Sequence, residues 1–104
     1  MATNEKDIEE MIQETGLKAP RIIPADVDAE IVERQFYIFP GTTLTVCCLT
    51  LQNGFTVTGE SAAASPSNFV QAIGERAAYD QAREKIWPLL GFRLRDKLHG
   101  NTDL

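Results

Sequence analysis

The chain has 104 residues, 43% hydrophobic and 24% charged, with a formal net charge of −5. That length fits one domain with a thin core, and the composition fits an ordinary globular protein rather than a disordered one. No apolar run approaches the roughly 18–20 residues that span a bilayer, the polar start is no secretory signal, and the acidic balance argues against non-specific nucleic-acid binding.

The expected organisation is a single domain over 1–104 in a reducing cytoplasm. Residues 1–17 form a peripheral N-terminal helix, 19–98 the core and 99–104 a frayed tail. Residues 1–34 hold nine acids and four bases, and 35–104 hold six of each. This acidic head could pair with the basic Lys85, Arg93, Arg95 and Lys97 of another protomer. Two solvated helix faces are the simpler reading.

Glu5 to Thr15 has a helical pattern, with Asn4 as its cap, acids in its first turn and Gly16 beyond its end. Ile8, Met11 and Ile12 make its narrow apolar stripe. Such a short helix is marginal alone and must dock on something. Pro20 and Pro24 punctuate a linker. A second helix is expected over Ala25 to about Arg34, with Val27, Ile31 and, as an option, Val32 facing inward.

Gln35 to Phe39 reads as a short strand, and Pro40-Gly41 as a turn. Thr43 to Ser61 reads as a β-hairpin folded at Asn53-Gly54, with both turn residues at φ > 0. Gln52 then opposes Phe55. That register puts Leu44, Val46, Cys48 and Thr50 with Phe55, Val57 and Gly59 on the core face. Thr45, Cys47, Leu49 and Leu51, with Thr56, Thr58 and Glu60, fall on a second face too apolar to be freely solvated. Cys47 and Cys48 are neighbours on one strand, so they point apart and read as buried free thiols.

Ser65 is the expected N-cap of a long helix, with Pro66 at its first position. Phe69, Ile73, Ala77, Ala82, Ile86 and Leu89 or Leu90 form its inward stripe, and Arg76–Asp80 pairs on its outer face. Pro88 should kink or end it, because it lacks an N–H and crowds residue 84. The fold class is therefore α+β: two short N-terminal helices, a small antiparallel sheet, and a long C-terminal helix kinked at Pro88.

No catalytic motif is present. One histidine, His99, sits near the C-terminus, and no Cys/His cluster has ligand spacing, so neither metal nor cofactor is implied. Cys47 would need a nearby cation or helix N-terminus to be nucleophilic. Glu60 can be a general base, a ligand acceptor or an ion-pair partner of Arg83 or Lys85. The connection into the long helix ends at free N–H groups that favour an anion, with Ser67 and Asn68 as added donors. Trp87 can stack on a planar ligand or belong to a core or interface.

Three stretches carry a resemblance: Phe39-Pro40-Gly41-Thr42-Thr43-Leu44-Thr45-Val46-Cys47, Leu49-Thr50-Leu51-Gln52-Asn53-Gly54-Phe55-Thr56-Val57-Thr58-Gly59-Glu60-Ser61, and Lys85-Ile86-Trp87-Pro88-Leu89. With Pro66, Asn68 and Phe69 between them, Ala19 to Leu98 resembles a widespread family of small tailed-phage and prophage proteins. The chain departs from that pattern at Cys48, Ala25 and Val70. The resemblance implies a phage protein made in a bacterial cytoplasm and supplies no catalytic residues.

Two functions follow as expectations. The first is a homo-oligomer that sequesters a small anionic, nucleotide-type ligand as counter-defence. Its inter-protomer pockets would be lined by Thr45, Thr56, Thr58 and Glu60, with Arg21 or Lys85 supplying charge. The second is an inhibitor or adaptor that docks on a host protein through the acidic N-terminal third. An enzyme has the least support.

Overall fold

The computed structural model describes residues 5–16 and 19–100. In chain order the elements are α1 (Glu5–Thr15), α2 (Pro24–Glu30), β1 (Ile31–Ile38), β2 (Leu44–Leu51), β3 (Thr56–Ala62), a 3₁₀ turn (Pro66–Asn68), α3 (Gln71–Glu84) and α4 (Ile86–Gly100). The expected cap Asn4 and the last tail residues 101–104 lie outside the described residues. Helix α4 runs through His99 to Gly100, taking in the first two residues of the expected tail 99–104.

The sheet is antiparallel in the order β1-β2-β3. Strand β1 begins at Ile31, so the expected second helix ends four residues early. Ile31 and Val32 are β-branched, and Ile31 pairs with Leu51 at the far end of β2. Phe39-Pro40-Gly41-Thr42 turns the chain into β2. Gly41 has φ +77° and the Thr42 N–H bonds to the Phe39 carbonyl at 3.1 Å. Pro at the second and Gly at the third position is the type II pattern.

The β2–β3 hairpin corrects the expected register. Leu51 opposes Phe55 through a Leu51 N–H to Phe55 carbonyl bond of 2.8 Å, leaving Gln52, Asn53 and Gly54 as a three-residue loop. Only Gly54 has positive φ, at +88°. Asn53 instead accepts the Phe55 N–H on its Oδ1 at 2.9 Å. A three-residue loop of this kind is the next commonest hairpin solution. The one-residue change moves each residue's opposite number: Cys48 opposes Thr58, and Cys47 opposes Gly59.

On β2 the core face is the reverse of the expected one, whereas on β3 Val57 and Gly59 face the core as expected. Thr45, Cys47, Leu49, Leu51 and Val57 are buried beneath α3, while Leu44, Val46, Cys48 and Thr50 are half-covered on the other face. The helix explains the choice. A Cβ on Gly59 would lie 2.3 Å from the Ala78 carbonyl oxygen and 2.3 Å from the Ala82 nitrogen. Helix α3 thus rests backbone to backbone on β3, through small residues on both elements.

Helix α3 starts later than expected. Ser65 precedes only the short 3₁₀ turn, and Phe69 and Val70 are extended before Gln71. The inward stripe is as expected at Ala82, Ile86 and Leu90, but in the first half of α3 Gly74 and Ala78 are buried instead of Ile73, which is 67% exposed, and Ala77, which faces solvent. The break between α3 and α4 falls at Lys85, not Pro88. Pro88 sits in the first turn of α4, where no N–H is needed, and its ring excludes a continuous helix through residue 84. Arg76 pairs with Asp80 at 3.1 Å, as the spacing predicts.

Helix α1 has no buried residue, and Ile8 and Met11 are 46% and 60% exposed. Charge holds it instead. The Glu5 carboxylate accepts from Arg83 and from Trp87 Nε1, and Glu9 pairs with Arg21 at 2.6 Å. Arg83 also meets Asp28 at 2.9 Å, and Arg93 meets Glu30 at 3.1 Å. The acidic head therefore pairs with cations of its own chain.

Candidate functional site

The residues singled out from sequence do not share one location. Thr56, Thr58 and Glu60 lie on the open face of the sheet, with Val46 and Cys48 beside them. Thr45 is on the opposite, core face and fully buried. Ser67 and Asn68 are exposed on the 3₁₀ turn ahead of α3, and Ser67 Oγ lies 2.9 Å from Ser65 Oγ. Lys85 is exposed at the α3–α4 break. Arg21 and Trp87 lie beside α1.

Local geometry fixes several of these roles. Trp87 Nε1 donates to Glu5 at 3.2 Å, and its ring lines a groove of about 300 Å³ with Glu5, Ile8, Glu9, Ile12 and Ile22. Trp87 is thus part of the seat of α1. Glu60 forms no ion pair with any described residue; its backbone N–H donates to Gln81 Oε1 at 2.7 Å. Its expected partner Arg83 serves Glu5 and Asp28 instead. Cys47 is a buried thiol whose pKa burial pushes up, the opposite of an activated nucleophile. Cys48 is only half-buried, so one of the two expected buried thiols is not.

Thr45 Oγ1 is buried with no hydrogen-bond partner among the described residues. It sits against the hydrogen side of Gly74, where a Cβ would be 2.9 Å away. A buried unpaired hydroxyl costs about 1–3 kcal/mol. Valine has the same shape without that cost, so Thr45→Val is expected to leave the fold intact and raise stability by about 1 kcal/mol. Urea unfolding of the two proteins measures the difference.

The best-formed arrangement of charge is a cleft of about 340 Å³ between the linker with α2 and helix α4. Arg21 enters from the linker, and Arg93 and Lys97 from successive turns of α4, four residues apart on one helix face. Ile22, Leu90 and Leu94 supply apolar wall, and Asp26 and Glu30 stand at the α2 side. Glu9 holds Arg21 in a two-bond fork, with N···O distances of 2.6 and 3.2 Å. That fork lowers the Glu9 pKa and raises that of Arg21. Glu30 holds Arg93 by one bond of 3.1 Å. Lys97 forms no ion pair with any described residue.

Of these cleft residues, sequence reasoning singled out only Arg21. Arg93 and Lys97 were visible as a locally basic stretch, and their spacing alone signals a shared helix face. What sequence could not supply was that α4 folds back beside the linker.

The fold is that of a small α+β protein, a three-stranded antiparallel sheet backed by one helix, with a charged cleft at its helical end. Residues 22–98 match the model of the phage protein (N4 Gp49/phage Sf6 gene 66) family, and the chain belongs to that family. Comparison with curated proteins and with solved structures gave no match. The family match begins after α1 and takes in Ile22, Arg93, Leu94 and Lys97. No described helix is long and apolar enough to cross a membrane.

Proposed function

We propose that this phage protein acts by binding, as a homo-oligomer in the host cytoplasm that sequesters a small anionic ligand of nucleotide type as counter-defence. The observation that carries this reading is the convergence of Arg21, Arg93 and Lys97 on one cleft with an apolar wall. A volume of about 340 Å³ lies in the range of small-molecule sites. Lys97, which pairs with no described carboxylate, suits a phosphate, which Arg21 and Arg93 meet by exchanging Glu9 and Glu30 for it, and Leu90, Leu94 and Ile22 suit the flat apolar part of a nucleotide. Asp26 and Glu30 are placed to accept from hydroxyl or amino groups.

This reading moves the charge supply from Lys85 to α4. The test is native mass spectrometry of the protein purified from infected cells, which reports oligomer mass and bound small molecules together. A ligand released intact by heating is the expected result. Arg21→Ala and Lys97→Ala are each expected to weaken its rebinding about tenfold or more, as loss of a charged hydrogen bond does. A protein that carries no small molecule, or releases an altered one, overturns the reading.

The alternative, an inhibitor docking through its acidic N-terminal third, has weaker support. Glu5, Glu9, Asp28 and Glu30 are all engaged by cations of the same chain. The acidic surface offered to a partner is correspondingly smaller.

A further inference from the structure

The two edges of the sheet are not equivalent. On β3 the outward N–H of Glu60 is taken by Gln81 Oε1 at 2.7 Å and α3 rests on that strand, leaving the outward backbone groups of Thr56 and Thr58 without a bond to any described residue. On β1 the ladder shows which groups point out. The Phe39 N–H bonds to the Leu44 carbonyl, so Phe39, Tyr37, Gln35 and Glu33 turn their backbone groups toward β2. Arg34, Phe36 and Ile38 turn theirs outward, and no described residue bonds to them. The pairing is regular from Glu33 to Ile38, and the edge carries no proline. An uncovered regular edge is a template for another strand.

We propose that the occupant of this edge is β1 of a second copy, paired antiparallel about a two-fold axis through Gln35 so that the two sheets become one. This rests on the oligomer in the proposed function and gives it an interface. The register follows from charge and parity. In such a pair the outward-bonding residues must oppose one another, which leaves few alignments. Centring on Arg34 sets Arg34 against its own copy, a like-charge pair that destabilises a sheet. Centring on Phe36 sets Glu33 and Arg34 against apolar residues, Phe39 and Ile38. Centring on Gln35 sets amide against amide, Glu33 against the Tyr37 hydroxyl, and Arg34 against the Phe36 ring.

Two variants of the full chain test this. Proline at an outward position removes no bond from the β1–β2 ladder and is tolerated on edges. Arg34→Pro is therefore expected to keep the circular dichroism of the fold and raise the dimer Kd about tenfold or more. The second test reads the register directly. Opposed residues of a pair without mutual hydrogen bonds have Cα atoms about 4.5 Å apart, within disulfide reach. Cys48 opposes Gln35 in the same chain, so the test uses the Cys48→Ser background. There Gln35→Cys is expected to give a covalent dimer under mild oxidation, and Arg34→Cys is not. Absence of the Gln35→Cys dimer, or equal cross-linking of Arg34→Cys, overturns the edge pairing. An oligomer seen by native mass spectrometry without that cross-link sinks this interface but not the oligomer. A cross-linked dimer that takes up no small molecule sinks the ligand and leaves the interface.

Discussion

Gly59→Ala is expected to destabilise the fold by about 3 kcal/mol or more, at the upper end for overpacking in a core. The added methyl would lie 2.3 Å from the Ala78 carbonyl oxygen and the Ala82 nitrogen, and 2.9 Å from Ala82 Cα. All three are backbone atoms, so no side chain can rotate away. Helix α3 would have to lift from β3. That would open the packing of Ala78 and Ala82 against Cys47 and Leu49, all fully buried. For a domain of this size, each kcal/mol moves Tm by roughly 4–8 °C. A fall of at least about 12 °C in a thermal melt is the expected reading. A melt unchanged within a few degrees would show that the helix can shift freely, contrary to the close approach described.

The role of Gly59 was invisible in its own strand. The hairpin was legible because Asn53-Gly54 punctuates two β-branched runs. Its register was not, because Gly54 permits both a two-residue and a three-residue loop, and the two differ by one residue. Alternation along β2 was equally ambiguous: Leu44, Val46 and Cys48 are as apolar as Cys47, Leu49 and Leu51. What decides between them lies on α3, where Ala78 and Ala82 of the small stripe meet Gly59 and its Gly74 meets Thr45. A search for apolar bulk instead chose Ile73 and Phe69. Small residues were the real signal, since they let backbones approach. The turn at Pro40-Gly41 and the Arg76–Asp80 pair were legible because each depends on neighbours within four residues.

The candidate site was less legible for the same reason. Arg21 is separated from Arg93 by the whole sheet in sequence, and only the return of α4 beside the linker joins them. Thr45 was misassigned with the hairpin face. Glu5 and Glu9 read as dipole-favoured acids of the first two turns, which explains their position along α1 but not their use. Their i,i+4 spacing puts both on one helix face. Arg83 and Arg21, far apart in sequence, then meet them.

That double clamp sets the second large effect. Arg83 is 14% exposed and joins α3 to two other helices, through Glu5 of α1 and through Asp28 and the Pro24 carbonyl of α2. Burial alone would lower its pKa, but the hydrogen bonds to Glu5 and Asp28 outweigh this and hold it well above the ordinary arginine value. Its charge is therefore fixed at every working pH, and it acts as a permanent tether. Arg83→Ala leaves Asp28 without its guanidinium and Glu5 with only the Trp87 N–H. The loss is expected to be about 2 kcal/mol, below that of a fully buried pair because Asp28 is largely solvated. Since α1 buries no side chain, it should detach before the sheet melts. Hydrogen exchange should therefore accelerate over 5–15 while β2 stays protected. Arg83→Lys keeps the charge without the fork and should recover only part of the protection. The remaining tether is Glu9 on Arg21. The fork holds the Glu9 carboxyl below its usual range, so the tether is fully present above that range and is lost as pH falls through the lowered value. Acid and Arg83→Ala together should release α1 completely. Persistence of slow exchange in α1 under both conditions would mean that contacts other than these two clamps hold the helix.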